Sequence, residues 1–343
     1  MPLPKEAFGN PTGWILATLL VAGIGAGLVS LHRHGAPTTM TAFGADAANY
    51  GTIALPIDPG VVVPGWPHEA GDATEQYRLA ADAYTTSLLA RRPYEDFLRE
   101  SVRAPAGPGA LPLLQHLLTG ARRERATLLG GDPSALVNYD QHLPRLDALY
   151  ALGQVAMKQA GLLAARNSAG DLAEARRLYE AAFILGVHLF DERIVHREME
   201  YGYRVISQSL GGLIALAKKE GHDDRAAILA ERRTRFGDYV NGRLQPVWDK
   251  ISAINVVRRD DDTADVHIGD IFAIAQSEAA DPLWRLEAIL RLGKARHDAS
   301  READRAAAER HLRHLDATLT DPRLQLAIEQ AMALTQAQRM HAR

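Results

Sequence analysis

The sequence predicts an all-α protein carried on a single membrane-spanning helix. Three observations lead there: an uncharged apolar run over residues 14–31, a Pro- and Gly-rich strap over residues 35–73, and helical periodicity over residues 74–343. A short flank, residues 1–13, precedes the run.

The run reads WILATLLVAGIGAGLVSL, eighteen residues without a charge from Trp14 to Leu31. Its length is close to the roughly 20 apolar residues that cross the hydrocarbon of a bilayer. Lys5 and Glu6 on one side, and His32, Arg33 and His34 on the other, suit the two water interfaces. A cleaved signal peptide would need small residues close behind the apolar run. Here bulky polar residues follow, and Ala45 and Ala47 lie far downstream, so a retained anchor is expected. No Lys or Arg occurs from Gly35 to Gln76, which favours translocation of the following chain. The expected topology is a single-pass membrane protein with a cytoplasmic N-terminus and the bulk of the chain in a periplasm. The absence of cysteine fits either side, since it excludes only a disulfide framework.

The anchor also has a face. Thr18, Ala22, Ala26 and Ser30 recur every four residues, and Gly23 and Gly27 form a G-x-x-x-G beside them. Small side chains at this spacing let a second helix approach backbone to backbone within lipid, so other membrane subunits are expected partners alongside the bilayer.

In the strap, prolines at 37, 56, 59, 64 and 67 argue against a helix of any length. Yet Phe43, Tyr50, Ile53, Leu55, Ile57, Val61, Val62, Val63 and Trp66 give it more apolar surface than a solvated tether carries. An extended segment lying in a groove is expected, with Ile57, Val62 and Trp66 making the contacts. The groove belongs either to the strap's own domain or to a neighbouring subunit.

From Thr74 the apolar period becomes helical. Pro and Gly punctuation divides the region into expected helices at 74–91, 93–103, 111–129, 133–138, 142–167, 171–190, 191–219, 223–241, 243–256, 268–278, 282–298, 301–319 and 322–340. Asp132-Pro133, Asp281-Pro282 and Asp321-Pro322 mark three of the starts, because Asp accepts free N–H groups of a first turn and Pro has none to leave unsatisfied. No stretch alternates with period two for long enough to predict a sheet.

Leu149-Tyr-Ala-Leu-Gly153, followed by Gly170-Asp171 and then Ala175, Tyr179 and Ala182, resembles a tetratricopeptide repeat. Ala would sit where the two helices touch and Tyr in the wider gap one turn on. A looser copy joins Leu210-Gly211 to Gly221, Ala226 and Ala230, and a third joins Ile289 to Gly293 with Ala306, Glu309 and Leu312. The first helix of the leading copy is about ten residues longer than the family pattern, and Glu309 stands where an aromatic residue is expected. The resemblance covers about half of residues 140–320. It implies an irregular solenoid of antiparallel helix pairs with a surface for protein partners, and no activity.

A formal net charge of −3 gives no electrostatic footprint for nucleic acid. Two clusters carry metal-ligand chemistry: Glu192, His196 and Glu200, spaced every four residues as if on one helix face, and Asp260 and Asp262 in an acidic run that lacks the Gly and closing Glu of a calcium loop. An ion-paired helix and an exposed turn are the expected roles, so no metal, cofactor or catalytic residue is assigned. The expected function is that of a structural or scaffolding subunit of a larger membrane complex, a bioenergetic or photosynthetic one among the candidates. The alternative is a ligand-binding protein or enzyme whose helical cavity is lined by His188, His196, Tyr201, Tyr203 and Trp248.

Overall fold

From Tyr50 the chain passes through a single helical turn, α1 (Pro59–Val62), a short strand, β1 (Glu69–Asp72), and helices α2 (Thr74–Thr86) and α3 (Pro112–Gly120), before strand β2 (Arg123–Arg125). Four long helices follow: α4 (Pro144–Arg166), α5 (Ala169–Glu192), α6 (His196–Lys219) and α7 (Asp223–Tyr239). The last runs without a break through a π-helical segment (Val240–Leu244) into α8 (Gln245–Ser252). Helices α9 (Ala264–Gln276), α10 (Pro282–Asp298), α11 (Glu302–Thr318) and α12 (Pro322–His341) complete the order. The computed structural model describes residues 50–86, 112–128, 144–252, 264–299 and 302–341. The expected helices at 93–103 and 133–138 lie outside those residues. So do the apolar run and its packing positions Thr18, Ala22, Gly23, Ala26, Gly27 and Ser30. Among the described residues no helix is long and apolar enough to cross a membrane.

Local chemistry sets the helix ends. Ser168 accepts the N–H of Asp171 at 3.1 Å and starts α5, and Asp281 accepts that of Leu283 at 2.9 Å and starts α10 at its proline. Lys218 and Lys219 close α6 while Asp223 and Asp224 open α7, each matching the partial charge of its helix end. Between them Gly221 takes φ +75°, the left-handed conformation that glycine adopts without a Cβ clash.

Each of α4 to α7 packs on its successor, and α2 and α3 pack on each other and against α4. The second group is built around α10, which touches α8, α9, α11 and α12. Its residues from Leu286 to Gly293 are all buried, and Trp284 is fully enclosed. Helices α5 and α6 meet backbone to backbone at Gly186 and Gly202. A Cβ on Gly202 would fall 2.6 Å from the Phe190 nitrogen and 2.9 Å from the Gly186 oxygen. Two to three turns further from the α5–α6 bend, the Tyr179 ring lies over Gly212, where a Cβ would fall 2.1 Å from it.

Three expectations need correction. Residues 69–72 and 123–125 form a two-stranded parallel sheet, pairing Glu69 with Arg123 and Asp72 with Arg125. Strands this short leave no readable alternation; they are held by bonds at their ends, Glu69 N–H to Arg122 O at 2.7 Å and Ala73 N–H to Arg125 O at 2.8 Å. The helix expected over 111–129 therefore stops at Gly120. The strap does contain a helical turn, because Asp58 accepts the N–H of Gly60 at 2.8 Å with Pro59 at the first position. Finally, the helix expected from residue 191 starts at His196. Arg193, at φ +35°, ends α5 and turns the chain back.

Candidate functional site

The strap lies along its own domain. Ile53, Ile57, Val62, Val63 and Trp66 are buried, so the apolar side chains that distinguish it from a linker face the helices. Several of its backbone groups are bonded to the helices as well. Tyr50 O accepts the Asp281 N–H at 2.7 Å, and Ile53 N–H reaches the Asp281 carboxylate at 2.9 Å. Asp281 is 2% exposed and lies 3.6 Å from the Arg193 guanidinium, so one carboxylate joins the strap, the start of α10 and the turn after α5. Arg243 donates to Thr52 O at 3.1 Å, and Ala54 N–H to the Tyr239 hydroxyl at 3.3 Å. Arg225 donates to Val61 O at 2.7 Å and to Val62 O. The Trp66 indole N–H donates to Ala121 O at 2.7 Å, just past α3. The strap thus bridges the helices that come late in the sequence and those that come first.

Glu192, His196 and Glu200 do not share a helix face, because the bend at Arg193 to Val195 separates the first from the other two. Glu192 accepts the N–H of Leu128. Glu200 pairs with Arg204 one turn on. His196 is 5% exposed, and its ring stacks on Trp248 with centroids 3.5 Å apart and planes within 2°. Burial first, and then the nearby Arg291 and Arg204 charges, push its imidazole down to about 3, so it is neutral at pH 7. The Arg291 guanidinium is 5.2 Å from the centre of the same Trp248 ring, and the His196 backbone N–H donates to the Glu287 carboxylate at 2.7 Å. Among the described residues no group of three His, Asp, Glu or Cys side chains could hold a metal ion. Asp260 and Asp262 lie outside them.

A carboxyl pair stiffens the bend between α5 and α6. Glu198 is fully buried and accepts the Ile194 N–H at 2.7 Å. Burial, with the Glu192 charge beside it, raises its carboxyl well above the usual carboxylate range. A cavity of about 170 Å³ opens beside this bend, lined by Glu192, Arg193, Asp281 and Arg323 among others.

The five residues of the expected ligand cavity do not converge. His188 is buried and exchanges a 2.9 Å hydrogen bond with the Tyr77 hydroxyl; burial pushes its imidazole down to about 4. Tyr201 stacks on Tyr150 at 4.3 Å and donates to Asp147 at 2.7 Å. Tyr203 lines a separate groove of about 250 Å³ beside Phe236 and Val240, where α7 passes into the π-helical segment. His196 and Trp248 are joined only to each other in this set. Each of these groups ties two elements together.

Sequence reading missed Asp281, Arg225, Tyr239 and Arg243 as strap partners. Asp281-Pro282 was legible as a helix start, and Asp58-Pro59 carries the same signal for α1, but nothing local shows that a capping carboxylate also receives a strand from elsewhere. No protein-family model, curated protein or solved structure matches this chain significantly.

Proposed function

We propose that the chain is a membrane-anchored structural subunit whose helical domain presents docking surfaces to extramembrane partners. The observation that carries this reading is the bonding of the strap along the domain, from Asp281 to Ala121. A tether that only tolerated separation would leave its backbone to solvent. This one enters the domain at Tyr50, and only eighteen residues, 32–49, separate it from the uncharged run.

The uncharged run supplies the membrane segment, oriented with its N-terminus cytoplasmic, and its small-residue rows supply the surface for other membrane subunits. Helices α4 to α7, packed in sequence order and resembling tetratricopeptide pairs, supply the surface for extramembrane partners. Gly27→Ile tests this directly. The variant keeps the segment apolar, so it should reach the membrane in normal amounts but be lost from a large complex on native gels. Full incorporation would remove the anchor from the argument.

A further inference from the structure

Beside α1 lies a pocket whose chemistry is independent of any role as a tether. It has a volume of about 250 Å³ and is enclosed by the strap at Val62 and Pro64 together with α5, α6 and α7. Leu213, Leu216 and Leu229 give it an apolar floor. Glu180 of α5 opens into it and makes no hydrogen bond or ion pair among the described residues.

The charged groups facing Glu180 come from α5, the end of α6 and the start of α7, and the strap contributes none. Arg176, on its own helix, is committed to Glu220 at the end of α6, and His222 lies 3.8 Å from the same carboxylate. Arg225 of α7 is different. Its guanidinium donates to the main-chain oxygens of Val61 and Val62, which are neutral, and among the described residues no carboxylate lies at bonding distance from it. Three of its five N–H donors remain for another acceptor. Burial raises the Glu180 carboxyl to about 7 even though Arg176 and Arg225 oppose the shift. At neutral pH it is therefore often a hydrogen-bond donor, and the pocket then carries excess positive charge. With Arg176 balanced by Glu220, an ammonium would enter against the uncompensated Arg225 guanidinium. A carboxylate would accept from Arg225 and from the Glu180 hydroxyl. At about 30 Å³ per non-hydrogen group, the volume one water occupies, the space suits about eight such atoms.

We propose that this pocket binds a small monocarboxylate with an apolar body, its carboxylate facing Arg225 and Glu180 and its body lying on Leu213, Leu216 and Leu229. Binding requires the protonated form of Glu180, so occupancy favours lower pH. The site also touches the strap, because Arg225 holds the ligand and the Val61 and Val62 carbonyls at once. A bound acid adds a partner to the same guanidinium and tightens the enclosure from inside.

Titration calorimetry of the full chain with hexanoate tests this. The expected result is saturable binding at pH 6 that weakens about tenfold at pH 8, the ratio set by a group titrating near 7. Glu180→Gln should bind at both pH values with no such dependence, while His222→Gln should keep the tenfold slope. Leu213→Trp fills the floor while leaving Arg225 and the Val61 and Val62 carbonyls unaltered in sequence, and should abolish binding. No binding of hexanoate to the unaltered chain at pH 6, or equal binding by the Leu213→Trp variant, overturns the proposal. So does tighter binding of hexylamine than of hexanoate, which would assign the pocket to cations.

Discussion

Asp281 accepts the backbone N–H of Ile53 at 2.9 Å across 228 positions of sequence. The same carboxylate starts α10 and faces Arg193, so a single side chain fixes three segments that share no sequence neighbourhood. A buried carboxylate in this position is stabilised only while all its donors remain.

Asp281→Ala should therefore cost more than an ordinary helix cap. The cap alone contributes about 1 kcal/mol, and the unsatisfied Ile53 N–H adds about 1–3 kcal/mol. Chemical denaturation should show a loss near the upper end of that sum, and limited proteolysis should cut first near residues 50–55. Asp281→Asn keeps one acceptor oxygen and should fall between. A loss confined to the size of a simple cap would show that the strap is held elsewhere.

The glycine crossing predicts opposite signs for one kind of substitution. Gly202→Ala places a methyl group 2.6 Å from main-chain nitrogen, which cannot move without separating α5 from α6. Overpacking of this kind costs about 1–3 kcal/mol. Gly237→Ala, in the exposed stretch of α7 where nothing lies within 4 Å of the new Cβ, should stabilise by about 0.5–1 kcal/mol through helix propensity. Two melting curves decide it; equal shifts would remove the close approach as an explanation.

Replacing Ile57, Val62 and Trp66 together with Ser exposes the strap's contribution. Each side chain is at most 8% exposed, and full burial of such a side chain contributes about 1.5–3 kcal/mol. The triple variant should lower the unfolding midpoint sharply and break the Trp66 indole bond to Ala121 as well. An unchanged midpoint would reduce the strap to a passive connector.

The buried histidines set an acid limit. His188 titrates at about 4 in the folded chain and near 6.5 when unfolded, so between those values the unfolded state binds more protons. Its contribution is complete above pH 6.5 and is lost as pH falls toward 4. At pH 5 this amounts to about 2 kcal/mol. Glu180 and Glu198 shift in the opposite sense and offset part of the fall, but they do so in both proteins when unaltered chain and His188→Gln are compared. The variant should lose about 2 kcal/mol less than the parent between pH 7 and pH 5. Parallel pH curves for the two proteins would show that His188 is not held neutral.

Much of the helical order was legible because it depends on local rules. The α10 range expected from Asp281-Pro282 and the last apolar turn coincides with the observed Pro282–Asp298, and the ends of α4, α5, α7 and α11 fall within three residues of expectation. The bend at Arg193 was not legible. Glu192, His196 and Glu200 keep a four-residue period straight through it, and the break is held by one local bond, Glu198 accepting the Ile194 N–H, and one tertiary bond, Glu287 of α10 accepting the His196 backbone N–H. The β1–β2 pairing escaped because it rests on bonds between residues distant in sequence, Glu69 to Arg122 and Ala73 to Arg125. The pocket residues Glu180 and Arg225 sit in stretches of Ala, Arg and Glu that read as solvated helix faces. Only the fold shows that one faces the other over leucines.

The order in which the strap meets its partners gives the domain a mechanical polarity. A pull arriving from the N-terminal side reaches Tyr50 and Ile53 first, and both are bonded to Asp281 at the head of α10. The load therefore enters through the last third of the sequence before it reaches Arg225 or Ala121. The bonds along the strap stand one after another and not side by side, so sustained tension would peel them singly, beginning at α10. The first helices of the domain, attached through Trp66, would be the last to feel it.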